Sequence, residues 1–256
     1  MSRIGKGFVW HELTTTDCEA AESFYRSVFG WKAEPTGSAD RFCTRLSAGE
    51  AAVAGMSRIA GNGDGPTLRP SWLSYIAADV DTDTVRVVAA GGSVRRPPED
   101  VPSIGRLAVV ADPWGAPFVL FRGTRVQGPA SASPNAQGHI GWHGLHAGDG
   151  EGAFSFYSEL FGWTKGEALD MGPAGVYQTF AVDGIPTGGM MPMAPETPAP
   201  YWLFYVNVEA LDAAISRVER GGGRAVRGAM PVPMGRWVVH CSDPQGAIFA
   251  MLAPRR

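Results

Sequence analysis

Few side chains in this sequence are equipped for chemistry, and most of those are aromatic. Of five histidines, His146 and His240 lie in the alternating runs "WHGLHA" and "RWVVHC". An imidazole gives or accepts hydrogen bonds and changes charge near neutral pH, so such a pair could orient a polar or ionisable ligand. Glu12 places one carboxylate in the run "VWHELT". Trp10, Trp72, Trp142 and Trp202 offer broad planar faces suited to stacking against an apolar or aromatic molecule. No serine or cysteine nucleophile motif and no paired-carboxylate arrangement accompanies them. The glycine-rich "GNGDG" at 61–65 lacks the strand–loop–helix setting of a phosphate site. Methionines in "GGMMPM" at 188–193 are expected to pack a core. Cys18, Cys43 and Cys241 make an odd count without metal-ligand spacing, so buried thiols are expected and neither a disulfide framework nor a zinc knuckle.

The elements that must position these residues are written twice. "FYRSVFGW" at 24–31 returns as "FYSELFGW" at 156–163. The match extends without a gap from "WHELTTTDCEAAESFYRSVFGW" to "WHGLHAGDGEGAFSFYSELFGW", pairing Trp10 with Trp142, His11 with His143 and Asp17 with Asp149. Later "WLSY" at 72–75 answers "WLFY" at 202–205, and "DPWGAPF" at 112–118 answers "DPQGAIF" at 243–249. The chain is a tandem duplication, with expected domains at 1–122 and 139–256 and a small-residue, Pro- and Gly-containing linker at 123–138.

Each half opens with a strand whose alternation sets Trp10, Glu12 and Thr14 on one face and His11, Leu13 and Thr15 on the other. A helix follows, with Asp17 or Asp149 as N-cap, apolar residues at helical spacing and Gly30 or Gly162 as its stop. Three short strands come next. The plan then repeats, most legibly as the strand "WLFYVNV", the helix "LDAAISRVERGGG" and the strands "RWVVHC" and "AIFAML". Every half therefore reads as strand, helix, three strands, twice over, an α+β layering.

Composition narrows the partners. With 256 residues and 45% hydrophobic content there is enough material for two cores. A formal net charge of −3 gives no broad basic surface for nucleic acid or anionic lipid. No apolar run approaches the ~20 residues of a membrane span, and "MSRIGKGFVW" lacks a secretory h-region. A cytoplasmic protein with a small-molecule partner is expected, its two halves packing like a dimer fused into one chain.

The strand-then-Asp opening, the "FYxxxFGW" helix end and the late "DPxGA" turn together resemble the vicinal oxygen chelate superfamily, which includes glyoxalases, bleomycin- and fosfomycin-resistance proteins and extradiol dioxygenases. The resemblance covers nearly the whole chain. It implies two βαβββ modules per half, forming a curved mixed sheet whose concave face holds the ligand. It also implies a divalent metal bound by His, Gln or Glu on that face, acting as a Lewis acid.

At the positions this resemblance designates for ligands, the sequence departs from the pattern. The first falls on Trp10 and Trp142, and the last on Val119 and Ala250. The second falls in "SWLSYIA" or "YWLFYVN", neither of which holds His, Gln or Glu. His11 and His143 adjoin the first position, but one step along a strand points to the opposite face. They are expected to lie beneath the helices, with a ring nitrogen on a nearby backbone group. No metal or other cofactor is therefore expected at the usual places. The concave face would be lined by Trp10, Glu12 and Val119 in the first half and Trp142, His146, His240 and Ala250 in the second, with Trp72 and Trp202 or their strand neighbours closing the other side. The expected function is binding of a small planar or apolar molecule, as in the bleomycin-resistance branch. The second half is favoured, with affinity varying around the pH range of an ordinary histidine. The alternative is a metal-dependent lyase, isomerase or dioxygenase in which His146 and His240 supply non-standard ligands.

Overall fold

The computed structural model describes residues 6–36, 43–59, 69–123 and 135–256. Most of the expected linker, 124–134, and the loop at 61–65 lie outside them. The first half contains β1 (Phe8–Thr15), α1 (Cys18–Phe29), β2 (Lys32–Pro35), β3 (Thr44–Ala48), β4 (Ala51–Arg58), β5 (Ser71–Ala77), α2 (Val80–Ala89), β6 (Ser93–Val101), β7 (Gly105–Ala111) and β8 (Pro117–Gly123). The second contains β9 (Ile140–Ala147), α3 (Gly150–Phe161), β10 (Thr164–Asp170), β11 (Val176–Val182), β12 (Ile185–Pro192), β13 (Tyr201–Asn207), α4 (Leu211–Arg220), β14 (Arg224–Val232), β15 (Arg236–Ser242) and β16 (Ile248–Ala253). This is the βαβββ module four times, as the repeat predicts.

Each half forms one eight-stranded mixed sheet, in the order β2-β3-β4-β1-β5-β8-β7-β6 and β10-β11-β12-β9-β13-β16-β15-β14. The first strand of every module pairs in parallel with the last, as β1 with β4 and β9 with β12, and the intervening strands are antiparallel. That closing parallel pair requires a crossover, which the module's helix provides.

The helix ends follow local rules. Asp17 accepts hydrogen bonds from the Glu19 and Ala20 amides, and Asp149 does so from Glu151 and Gly152. Both helices stop at a glycine in the left-handed region, Gly30 at φ 72° and Gly162 at φ 76°, where a side chain would be strained.

The modules pack into two compact units. Unit 1 comprises Met1–Val9, Ser74–Gln127 and Trp142–Leu203, and unit 2 comprises Trp10–Leu73, Gly128–Gly141 and Phe204–Arg256. Unit 1 is centred on Phe118, Tyr157, Trp163, Phe180 and Trp202. Unit 2 is centred on Phe24, Tyr25, Trp31, Trp72 and Phe249. The sheets thus follow the sequence repeat, whereas each packed unit draws modules from both halves.

The cysteines correct one expectation. Cys18, which opens α1, and Cys43, which precedes β3, form a disulfide across a separation of 25 residues. Only folding brings these positions together, so their spacing gave no sign of it. Cys241 is a buried free thiol whose pKa burial pushes up to about 12. Among the described residues no helix is long and apolar enough to cross a membrane.

Candidate functional site

An aromatic arrangement in unit 1 contains two of the expected site residues. On β9, Trp142, Gly144 and His146 share one face by strand alternation. In the adjoining β12, Gly189 pairs with Gly144 and Met191 with His146. Gly189 is indispensable here, because a Cβ at that position would lie 2.2 Å from the Tyr177 ring. Tyr177 of β11 therefore lies over a glycine floor, where its hydroxyl accepts a 2.6 Å hydrogen bond from Trp142 Nε1. Burial raises the Tyr177 pKa, which keeps the phenol neutral and able to donate. His146 stacks on Tyr201 with ring centroids 4.7 Å apart and planes inclined by 7°. His146 is buried, while Trp142, Tyr177 and Tyr201 are only half-buried and keep part of their surface open to solvent. The result is two paired aromatic systems, one of them seated on the glycine pair. Sequence reasoning missed Tyr177 and Tyr201. The available signal was the Gly188–Gly189 pair inside a strand, which marks close approach by a bulky neighbour.

Unit 2 contains the other expected residues in two places. Glu12 is fully buried and accepts a hydrogen bond from Ser57 Oγ. Trp10, half-buried, precedes Glu12 on the same strand face. Elsewhere in the unit, the register sets Tyr205 opposite Ala250 and Ala250 opposite His240. His240 therefore shares the face of Ala250, and Tyr205 Oη lies 3.2 Å from His240 Nε2. The small alanine leaves room for that contact. Unit 1 repeats the row in apolar form, with Val119 between Tyr75 and Val109.

Trp72 and Trp202 require correction: both point into the helix-covered core. Trp72 Nε1 donates to Tyr25 Oη of α1 at 2.9 Å, and Tyr25 donates to Asp243 Oδ2 at 3.0 Å. Trp202 Nε1 likewise donates to Tyr157 Oη of α3 at 2.9 Å, and Tyr157 donates to Asp112 Oδ2 at 3.3 Å. Burial, followed by the neighbouring aspartate, raises both phenol pKa values well above normal. Burial also raises Asp112 and Asp243, against the hydrogen bonds those carboxylates accept. These tryptophans are core residues because their one polar atom finds a partner on the helix side. Their strand neighbour Tyr201 is the residue that reaches His146.

His11 and His143 are both buried. The His143 ring stacks on Phe8 at 3.8 Å, and its Nδ1 lies 3.3 Å from the Thr187 carbonyl, as the backbone-satisfying reading expects. Burial depresses its pKa to about 3.

The donor set does not fit the divalent metal that the fold implies. Val119 and Ala250 have no lone pair to offer, and the Trp142 indole nitrogen donates its hydrogen to Tyr177. Among the described residues no group of three or more His, Cys, Asp or Glu side chains could hold a metal ion, and three protein ligands are usual.

Comparison with known proteins agrees with the fold. A glyoxalase-like domain family matches residues 10–121, and the glyoxalase/bleomycin resistance protein/dioxygenase superfamily matches residues 137–251. The chain is 32% identical to "Putative glyoxylase CFP32" of Mycobacterium tuberculosis over 96% of its own length and 94% of that protein's. It is also 32% identical to the anthracycline biosynthesis protein DnrV of Streptomyces peucetius, over 100% of its own length and 96% of the relative's. Among solved structures it resembles the Mn(II)-bound glyoxalase from Novosphingobium aromaticivorans, with a TM-score of 0.62 at 17% identity, covering 98% of this chain and 82% of that one. It likewise resembles the 2,3-dioxygenase LapB from Pseudomonas sp. KL28, with a TM-score of 0.65 at 11% identity, covering 97% and 92%. The chain belongs to the glyoxalase/bleomycin resistance protein/dioxygenase superfamily, the vicinal oxygen chelate fold, as two tandem domains.

Proposed function

We propose that this protein binds a planar, aromatic small molecule at the Trp142–Tyr177 and His146–Tyr201 pairs, without the divalent metal used elsewhere in the superfamily. The observation that carries this reading is the two aromatic pairs themselves, in which Trp142, Tyr177 and Tyr201 keep part of their ring surface open to solvent. A flat ligand could stack on the open faces of those rings and form a few orienting hydrogen bonds to His146 and the phenols. Two relatives, DauV and DnrV, are named for anthracycline biosynthesis, and a planar polycyclic aromatic is the class that such a surface suits. Backbone resonances follow this directly. On titration with anthraquinone-2-sulfonate, the amides of Gly144 and Gly189 should shift saturably; shifts confined to other parts of the chain would refute the site.

A second reading, a lyase, isomerase or dioxygenase with non-standard metal ligands, draws support from the glyoxylase name of CFP32 and from the Tyr205–His240 pair beside Ala250. Metal analysis of protein purified without chelators separates the two. A stoichiometric divalent ion lost on replacing His146 or His240 would favour the second.

A further inference from the structure

Three charged groups meet at the C-terminal end of α3 in unit 1. Lys6 Nζ lies 2.8 Å from both oxygens of Asp83 and 3.3 Å from the Leu160 carbonyl. Arg86 Nη1 donates to Asp83 Oδ1 at 2.8 Å and to the Leu160 carbonyl at 2.9 Å, while Nη2 donates to the Glu159 carbonyl at 2.7 Å. Asp83 is only 1% exposed. An ammonium, a carboxylate and a guanidinium thus close the space beside the helix end.

Unit 2 repeats this scaffold with two of the three charges missing. Trp163 Nε1 donates to the Lys6 carbonyl and Trp31 Nε1 to the Gly138 carbonyl, both at 2.7 Å, so Gly138 is the counterpart of Lys6. Val28 and Leu160 occupy the same place in "FYRSVFGW" and "FYSELFGW". Arg217 Nε donates to the Val28 carbonyl at 2.8 Å, as Arg86 does to Leu160. The residue three before Arg86 is Asp83, and the residue three before Arg217 is the buried Ala214. A glycine and an alanine therefore stand where unit 1 has its ammonium and its carboxylate. Beside Gly138, the counterpart of the ammonium-bearing Lys6, unit 2 has an open cavity of about 310 Å³ lined by Arg26, Val28, Asn207 and Arg217, among others; Ala214 is not part of its lining.

The lining has a definite chemistry. Arg217 lines the cavity, and among the described residues its one side-chain hydrogen bond runs from Nε to the Val28 carbonyl, which leaves its terminal nitrogens available to a ligand. Arg26 stands at the same end of α1, 4.0 Å from Glu22. Two guanidinium groups attract an anion, and Arg86 shows that a carboxylate is the partner this geometry accepts. The carbonyls at the C-terminal end of α1 favour a cation, as they do for Lys6 at α3. We propose that the unit 2 cavity binds a small zwitterion carrying an α-amino carboxylate, with its carboxylate on Arg217 and its ammonium at the Val28 carbonyl. Such a group carries both charges on one carbon, in the contact arrangement that Lys6 and Asp83 achieve with two side chains. This site is separate from the aromatic one, and neither depends on the other.

The test is a titration of the isotope-labelled full chain with L-alanine, read at the amides of Gly30 and Gly138. Saturable shifts are expected at both. Acetate and methylammonium, each carrying half of the group, should bind about tenfold more weakly or worse, the scale of one lost charge-assisted contact. Arg217→Gln should abolish the anchor of the carboxylate. Because that change touches a packed position, Arg26→Gln on the exposed side of α1 serves as a second variant and should weaken binding by removing the other guanidinium. No shift in the wild type, acetate binding as tightly as L-alanine, or undiminished binding in every folded variant would overturn the proposal.

Discussion

The hydroxyl of Tyr205 lies 3.2 Å from His240 Nε2, with Ala250 between the two in the sheet register. An alanine there lets an aromatic side chain on one strand reach a histidine two strands away. Ala250→Leu should separate the pair and overfill a fully buried position, lowering stability by about 1–3 kcal/mol. Tyr205→Phe should cost less, about 1 kcal/mol, because it removes one hydrogen bond and keeps the ring. Urea unfolding of the two variants tests that ranking, and a larger loss for Tyr205→Phe would contradict it.

Tyr157 joins Trp202 to Asp112 in the core of unit 1. Tyr157→Phe should therefore leave a buried indole N–H and a buried carboxylate oxygen short of a partner, at a cost of about 1–3 kcal/mol. A shift in thermal midpoint no larger than that of an exposed control such as Ser155→Ala would refute this account of the network.

His143 makes stability sensitive to acid. Burial lowers its pKa from the ordinary 6.5 to about 3, partly opposed by the Thr187 carbonyl. The unfolded chain takes up a proton below about pH 6.5 that the folded chain refuses until near pH 3. Stability from this group is therefore complete above 6.5 and falls as pH decreases across that window, by up to about 1.4 kcal/mol per pH unit. In His143→Gln the loss between pH 7 and pH 4.5 should shrink by about 2–3 kcal/mol. Identical pH profiles for the two proteins would mean that another group governs the acid limb.

Gly189 is the floor on which Tyr177 rests. Gly189→Ala should expel the Tyr177 ring and break its bond to Trp142, since the new Cβ would lie 2.2 Å from ring carbon. The Trp142 emission maximum should move to longer wavelength as the indole gains water. An unchanged spectrum would show that the strands separate to keep the ring in place.

Much of the fold was legible because its signals are local. Asp17, Asp149, Gly30 and Gly162 mark helix ends through their own hydrogen bonds and backbone angles, and the repeat supplied four modules. What escaped depends on neighbours distant in sequence. Trp72 and Trp202 alternate correctly along their strands, but the choice of face is fixed by the phenols of Tyr25 and Tyr157 on the helices. The Cys18–Cys43 bridge joins positions 25 residues apart, a pairing that spacing alone does not reveal. His240 is placed beside Ala250 by a register that its own strand does not record. The division of modules between the two units is not recorded in any single repeat.

Binding without a metal, on the two aromatic pairs, is tested most directly by the dissociation constant of anthraquinone-2-sulfonate, followed by Trp142 quenching with and without EDTA. The wild type should bind equally well in both conditions, and Tyr177→Ala with Tyr201→Ala should weaken binding by tenfold or more, about the scale of lost aromatic stacking. Binding that requires a divalent ion, or that survives the loss of both tyrosines, would contradict the account.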